Sequence, residues 1–202
     1  MEVVDNPNPQ MLVVPTLRRL IFGETTNTDD YILHYLTLPA LQTLSLPMRY
    51  ISGEELVACV QRSAAPLRDL ALRWQSHNIS LLHLNLHDCL RLIPTLTRFR
   101  MWRPRSDVVT ELFIALAESS SFLPNLHDLT INILDTAHSP ADISDSFWRD
   151  LVRALSNRHI DRLYIASVNK SPPQDVLDSL RELVAAGANI HTGTEQFNFV
   201  AA

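Results

Sequence analysis

Arg98, Arg100, Trp102, Asp128, Arg162 and Tyr164 gather the arginine, aromatic and acidic side chains that most often carry protein-binding energy. Arg98, Arg100 and Trp102 are spaced by two, as are Arg162 and Tyr164, so a strand at each place would turn each set to one face. Two readings of these residues stand side by side. In one they form a surface for a partner protein. In the other they are solvated strand residues whose arginines are paired with Asp69 and Asp128 across neighbouring strands.

Other spacings suggest chemistry and are better explained by structure. His83 and His87 stand four apart beside Asp88 and Cys89, which would put two imidazoles on one helical face as a zinc site needs. A His-Glu-x-x-His motif is missing, no second ligand cluster lies nearby, and Leu84, Leu86, Leu90 and Leu92 crowd the segment. It reads as a buried leucine-rich helix, with no metal expected. Serines gather at 119–121 and 144–146, where turns and helix caps use them, and none stands in a nucleophile signature. Asp29-Asp30 and Glu54-Glu55 suit the positive end of a helix dipole. Cys59 and Cys89 sit among apolar helical residues, as buried free thiols do. The formal glycosylation acceptors at Asn78 and Asn169 read as incidental.

The chain's 4 glycines are scattered at 23, 53, 187 and 193. A phosphate-cradling loop needs them clustered, because only a residue without Cβ lets the backbone approach a pyrophosphate. No nucleotide cofactor is expected, and no catalytic activity. Seventeen Lys and Arg against 22 Asp and Glu leave a formal charge of −5, which does not favour nucleic acid as a partner. The longest apolar run, Leu112 to Ala117, is far short of the roughly 20 residues of a membrane helix. The acidic start MEVVDNPNPQ lacks a signal peptide's basic and apolar regions, so the expected location is cytoplasmic or nuclear, with no membrane partner.

The elements that would position the candidate face come from an internal repeat. Val13 to Phe22, Leu36 to Leu46, Leu92 to Met101 and Phe122 to Ile131 share the pattern Pro-x-Leu-x-x-apolar-x-apolar. Looser copies occur at Arg62 to Leu72, where Pro66 directly precedes Leu67, and at His159 to Ile165, which has no proline. The anchors Leu17, Leu41, Leu67, Leu96, Leu126 and Ile160 are separated by 24, 26, 29, 30 and 34 residues. That is a leucine-rich-repeat period, lengthening toward the end. Alternating apolar residues after each anchor predict a short parallel strand with one buried face, and the proline is expected to end the preceding element. Outward positions are then Arg19, Ile21 and Gly23; Thr43, Ser45 and Pro47; Asp69, Ala71 and Arg73; Arg98, Arg100 and Trp102; Asp128, Thr130 and Asn132; Arg162, Tyr164 and Ala166.

Helical periodicity fills the intervals at Glu54 to Ser63, Ser80 to Leu92, Val108 to Glu118, Phe147 to Ser156 and Asp175 to Ala186. Ser106-Asp107 and Ser144 to Ser146 are the expected N-caps, and Ala186-Gly187 the C-terminal cap of the last helix. A final strand is expected at Ala188 to His191. The predicted fold class is α/β, a leucine-rich-repeat-like solenoid with short parallel strands on the concave side and helices outside. Residues 1–12 form a polar lead, and about six irregular repeats occupy 13–202. A chain that starts almost inside a repeat leaves an open sheet edge and points to a further segment upstream.

The stretches LTLPALQTLSL, RSAAPLRDLAL, LPNLHDLTI and DVLDSLRELVAAGANI resemble the C-terminal repeat half of F-box proteins from mushroom-forming fungi, over about Val13 to Ile190. In that family an N-terminal F-box docks on the adaptor of a cullin-type ubiquitin ligase, and degenerate leucine-rich repeats select a protein substrate. The resemblance implies a substrate-recognition role. Nothing before Val13 supplies the Leu-Pro-x-Glu opening of an F-box, so the ligase adaptor is an implied partner only where an F-box lies upstream. A stand-alone repeat protein is the alternative, and a small α/β enzyme a further one.

Overall fold

A computed structural model describes residues 11–23, 32–48, 53–74, 86–133, 143–166, 168 and 170–201. The repeated x-Pro-x-Leu sequence folds each time into the same turn. Leu17, Leu41, Leu96 and Leu126 each donate their N–H to the carbonyl three residues back, on Val14, Leu38, Ile93 and Leu123, at 3.4, 3.1, 3.1 and 3.1 Å. Proline is the second residue of that turn, where its fixed φ costs nothing and its missing N–H is not needed. Pro15, Pro39, Pro94 and Pro124 therefore build the turn that aims each strand, beyond merely ending the element before it. In the looser copy, Leu67 bonds to Ala65, two residues back, at 2.8 Å.

The strands that follow are β2 (Arg19–Ile21), β4 (Thr43–Pro47), β5 (Asp69–Arg73), β6 (Arg98–Trp102), β7 (Asp128–Asn132), β8 (Arg162–Ala166) and β9 (Asn189–Thr192). They form one parallel sheet in chain order, β2-β4-β5-β6-β7-β8-β9, which is open at both ends. A small second sheet pairs β1 (Leu12–Val13) with β3 (Leu36–Thr37), also in parallel. The crossovers carry α1 (Ile32–Tyr35), α2 (Gly53–Ser63), α3 (Leu86–Arg91), α4 (Ser106–Glu118), α5 (Asp145–Ser156) and α6 (Gln174–Ala185). The fold is thus α/β with a parallel sheet.

Register never slips, so equivalent residues of each repeat line up in rows across the sheet. One apolar row runs Leu20, Leu44, Leu70, Phe99, Leu129, Leu163 and Ile190. A second runs Leu46, Leu72, Met101, Ile131 and Ile165, and ends at Thr192. Apart from Leu20, these residues are buried. Each of the apolar side chains among them contributes roughly 1.5–3 kcal/mol by leaving water. The helices supply the other half of this core with Leu56, Cys59, Phe113, Leu116, Phe147, Trp148, Val176 and Leu180. Phe147 meets both Phe113 and Trp148 edge-on, at 5.2 Å between ring centres in each case.

Between repeats, side chains tie helix ends together. Arg158 donates to the carbonyls of Leu116, Ser119 and Leu123, and Asn157 donates to that of Ala117 at 2.9 Å. These carbonyls lie in and after the last turn of α4, which has no further helical donors for them. Burial lowers the Arg158 pKa from its ordinary value. Arg62 of α2 likewise donates to the carbonyls of Leu33 and Leu36, at 2.6 and 3.3 Å, which holds α1 and β3 against α2.

Most helix boundaries follow the periodicity. Ser144 caps α5 by accepting from the Phe147 N–H at 3.3 Å. Gly187, at φ +107°, closes α6 in a conformation that L side chains rarely adopt. At α4 the cap differs from expectation. Arg105 is the N-cap and makes no side-chain cap bond, and Ser106 is already helical. The Asp107 carboxylate accepts from the Val108 N–H at 2.9 Å and pairs with Arg105, so an acidic first turn replaces the hydroxyl cap. The helix expected over Ser80 to Leu92 is described from Leu86. His83, Asn78, Asn169 and Asp29-Asp30 lie outside the described residues.

Candidate functional site

The side of the sheet facing away from the helices carries three rows of its own. The first is Arg19, Thr43, Asp69, Arg98, Asp128, Arg162 and Asn189. The second is Ile21, Ser45, Ala71, Arg100, Thr130, Tyr164 and His191. The third is Pro47, Arg73, Trp102, Asn132 and Ala166. All six residues singled out from the sequence lie in these rows, on three adjacent strands. Zero register shift brings them together, since neighbouring parallel strands hold equivalent side chains within reach of one another. Pro47, Ala71 and Ala166, also expected outward, are small enough that their neighbours bury them.

Asp69, Arg98, Asp128 and Arg162 alternate in sign along the first row and are joined by ion pairs. Arg98 reaches Asp69 at 3.3 Å and Asp128 at 3.1 Å, and Arg162 reaches Asp128 at 2.9 Å. Arg100, one row over, donates to both oxygens of Asp69, at 2.9 and 3.0 Å. The carboxylates are the sheltered partners, their side chains 14 and 18% exposed against 44 and 60% for Arg98 and Arg162. The guanidinium heads therefore keep donors toward solvent. Hydrogen bonding to Asp128 raises the Arg98 pKa, opposed by burial and aided by the charge of Asp69. The Arg100 Nε is buried and has no hydrogen-bond partner.

Charge on this face runs against the molecule as a whole. The strand residues of the three rows include Arg19, Arg73, Arg98, Arg100 and Arg162 but, as acids, only Asp69 and Asp128. A positive surplus thus sits on a chain of formal charge −5. Beside it, Tyr164 and His191 stack, with ring centres 4.6 Å apart and planes 16° from parallel. The His191 Nε2 lies 2.8 Å from the Thr194 carbonyl. His191 was not among the residues singled out from the sequence. Extending the alternation of β8 by one repeat, into the expected last strand, would have placed it beside Tyr164.

Of the residues that suggested other chemistry, His87, Cys59 and Cys89 are described and lie in packed surroundings. His87 packs on Phe122, ring centres 4.8 Å apart, beside a cavity of about 30 Å³ lined also by Leu90, Val108 and Leu112. A second cavity, near Arg158 and His159, is about 90 Å³. Both are far below the roughly 300 Å³ of a small-molecule site. Among the described residues no three His, Cys, Asp or Glu side chains are grouped to hold a metal. Cys59 and Cys89 are buried free thiols. Burial raises both pKa values, that of Cys89 to about 12, so neither supplies a thiolate nucleophile near neutral pH. No helix among the described residues is long and apolar enough to cross a membrane.

What this geometry defines is a class, a parallel α/β protein whose helices cover one sheet face and leave a charged and aromatic one uncovered among the described residues. Comparison with known proteins takes it no further: no family model, no curated protein and no solved structure matches the chain.

Proposed function

We propose that this chain is a leucine-rich-repeat-like solenoid that binds another protein and has no catalytic activity of its own. The uncovered sheet face would be its concave, partner-binding side. The observation that carries the reading is the arginine surplus on that face, set beside Trp102 and the Tyr164–His191 stack, in a chain that is acidic overall. Such a face attracts acidic segments electrostatically and offers aromatic surface for burial once they arrive. Strand order equal to chain order, with unslipped register, supports the repeat reading.

The favoured setting is the one the F-box resemblance implies. There the repeats hold a protein substrate while an F-box encoded upstream attaches the ligase adaptor, in the cytoplasm or nucleus. Mechanism reduces to shape and charge complementarity, with arginine heads already held in place by Asp69 and Asp128.

An array of acidic, neutral and basic peptides probed with the whole chain tests the reading. Retention on acidic peptides is expected, weakened by salt and lost in an Arg98→Gln, Arg100→Gln, Arg162→Gln variant that keeps its circular dichroism. Equal retention on all three classes, or none on any, would overturn it.

A further inference from the structure

Three adjacent strands of the uncovered face differ in the size of the side chains they turn outward. Those of β7 are Asp128, Thr130 and Asn132. Beside the first two stand Arg98 and Arg100 on β6, and Arg162 and Tyr164 on β8, all of them longer. Unslipped register sets long against short at each level, so β7 is the floor of a trough that follows the strand direction. At Thr130 the walls are held apart. Arg100 is drawn toward β5, where it donates to both oxygens of Asp69, and Tyr164 lies against His191 of β9. Each leans away from Thr130, which is half-buried between them. At Asp128 the walls converge instead, and Arg98 and Arg162 reach the same atom, Oδ2, at 3.1 and 2.9 Å.

Two levels of different chemistry therefore adjoin. Arg98 and Arg162 are exposed, and each guanidinium gives no more than two of its five N–H groups to Asp69 and Asp128, so donors remain for an incoming carboxylate. At Thr130 the aliphatic stem of Arg100 and the ring of Tyr164 offer walls to an apolar side chain. The two levels are about 6.6 Å apart along β7, which is the spacing of same-side residues i and i+2 in an extended peptide. The backbones of β6 and β8 are about 10 Å apart before their side chains are counted, whereas a helix is about 10–12 Å across, so only an extended segment enters.

On the protein-binding reading of this face, on which the assignment rests, we propose that the trough seats one extended segment of the partner. It carries a carboxylate side chain over Arg98 and Arg162 and an apolar side chain two residues away, over Thr130 between Arg100 and Tyr164. Acidity alone fills one level and leaves the other empty. An acidic and an apolar residue one or three apart turn to opposite sides of an extended peptide, so only one of them meets the sheet.

Fluorescence anisotropy of labelled peptides with the whole chain tests this. Three peptides of one composition share an acidic tail and carry a glutamate and a leucine one, two or three positions apart, in both orders; a fourth has serine for the leucine. The two-apart spacing is expected to bind roughly tenfold tighter than the others. Thr130→Arg fills the floor while adding a positive charge and is expected to erase that preference, whereas charge alone would tighten all four peptides alike. Ser45→Arg adds the same charge in the same row on β4, outside the trough, and is expected to keep the preference. Equal binding of the three spacings by the unaltered chain would overturn the trough and leave acidic binding to this face standing. So would a Thr130→Arg chain with unchanged circular dichroism that keeps the preference. Binding of none of the four peptides would overturn both readings.

Discussion

At one edge of the sheet the outward backbone of β9 is occupied, and at the other no described residue pairs with that of β2. Beyond β9 the chain turns back so that Asn198 stands where another strand would lie. Its Oδ1 accepts from the Thr192 N–H and its Nδ2 donates to the Ile190 carbonyl, both at 3.1 Å, while the Phe199 N–H reaches the Thr192 carbonyl at 2.8 Å. A single amide side chain thus imitates a peptide unit, offering one acceptor and one donor at strand spacing. Gly193, at φ +147°, makes the turn possible, since a Cβ there would collide with the Phe197 carbonyl. The effect reaches the core. Ile190, the last member of the first apolar row, is 5% exposed, whereas Leu20, the first member, is half-buried. Among the described residues, two ends built from the same repeat differ because only the β9 end has a segment folded back over its outward hydrogen bonds and its last apolar row.

The contrast predicts unequal costs for equivalent truncations. Ile190→Ala should destabilise by about 2–5 kcal/mol, the range for a buried aliphatic side chain. Leu20→Ala, in the same row, should cost less than half as much. Urea denaturation of both variants at low protein concentration measures the pair, and equal losses would break the comparison. Asn198→Ala tests the cap itself. Losing its bonds to Thr192, Ile190 and the Val200 N–H should cost about 1–3 kcal/mol, and amide exchange at Thr192 should rise toward the rate at Ile21. The smallest effect has the opposite sign. Thr192 ends the second apolar row fully buried, with its hydroxyl unpaired. Thr192→Val should therefore stabilise by roughly 1 kcal/mol, seen as a higher denaturation midpoint at unchanged slope.

The six residues taken as a candidate surface were legible because they sit two apart within strands whose spacing repeats. Arg98, Arg100 and Trp102 had to share a face once their segment was a strand, and their neighbours followed from the repeat. Less visible was how their charges would be distributed. Arg98 lies between Asp69 and Asp128, which are 29 and 30 residues away in the chain, and only sheet pairing makes these contacts. His191 escaped notice because the stretch leading into the last strand has Ala185 and Gly187 where the pattern has its proline and leucine. The Ser106 cap was misread because serine favours helix starts, whereas the β6–α4 connection lets the helix begin one residue earlier, with Arg105 at the N-cap.

Local chemistry alone determined the recurring turns, the strands after them, the helices between and the alternation within each strand. Proline's fixed φ, two-residue periodicity and helical spacing act over a few residues, so they can be read without knowing the neighbours. Tertiary structure decided the rest: the unslipped register that gathers Asp69, Arg98, Asp128 and Arg162 into one row, the burial that holds the Cys89 thiol neutral, and the difference between the two edges. These depend on hydrogen bonds and packing between residues distant in the chain. In the side chain of Asn198, which satisfies a strand eight residues earlier, such a contact closes the end of the sheet.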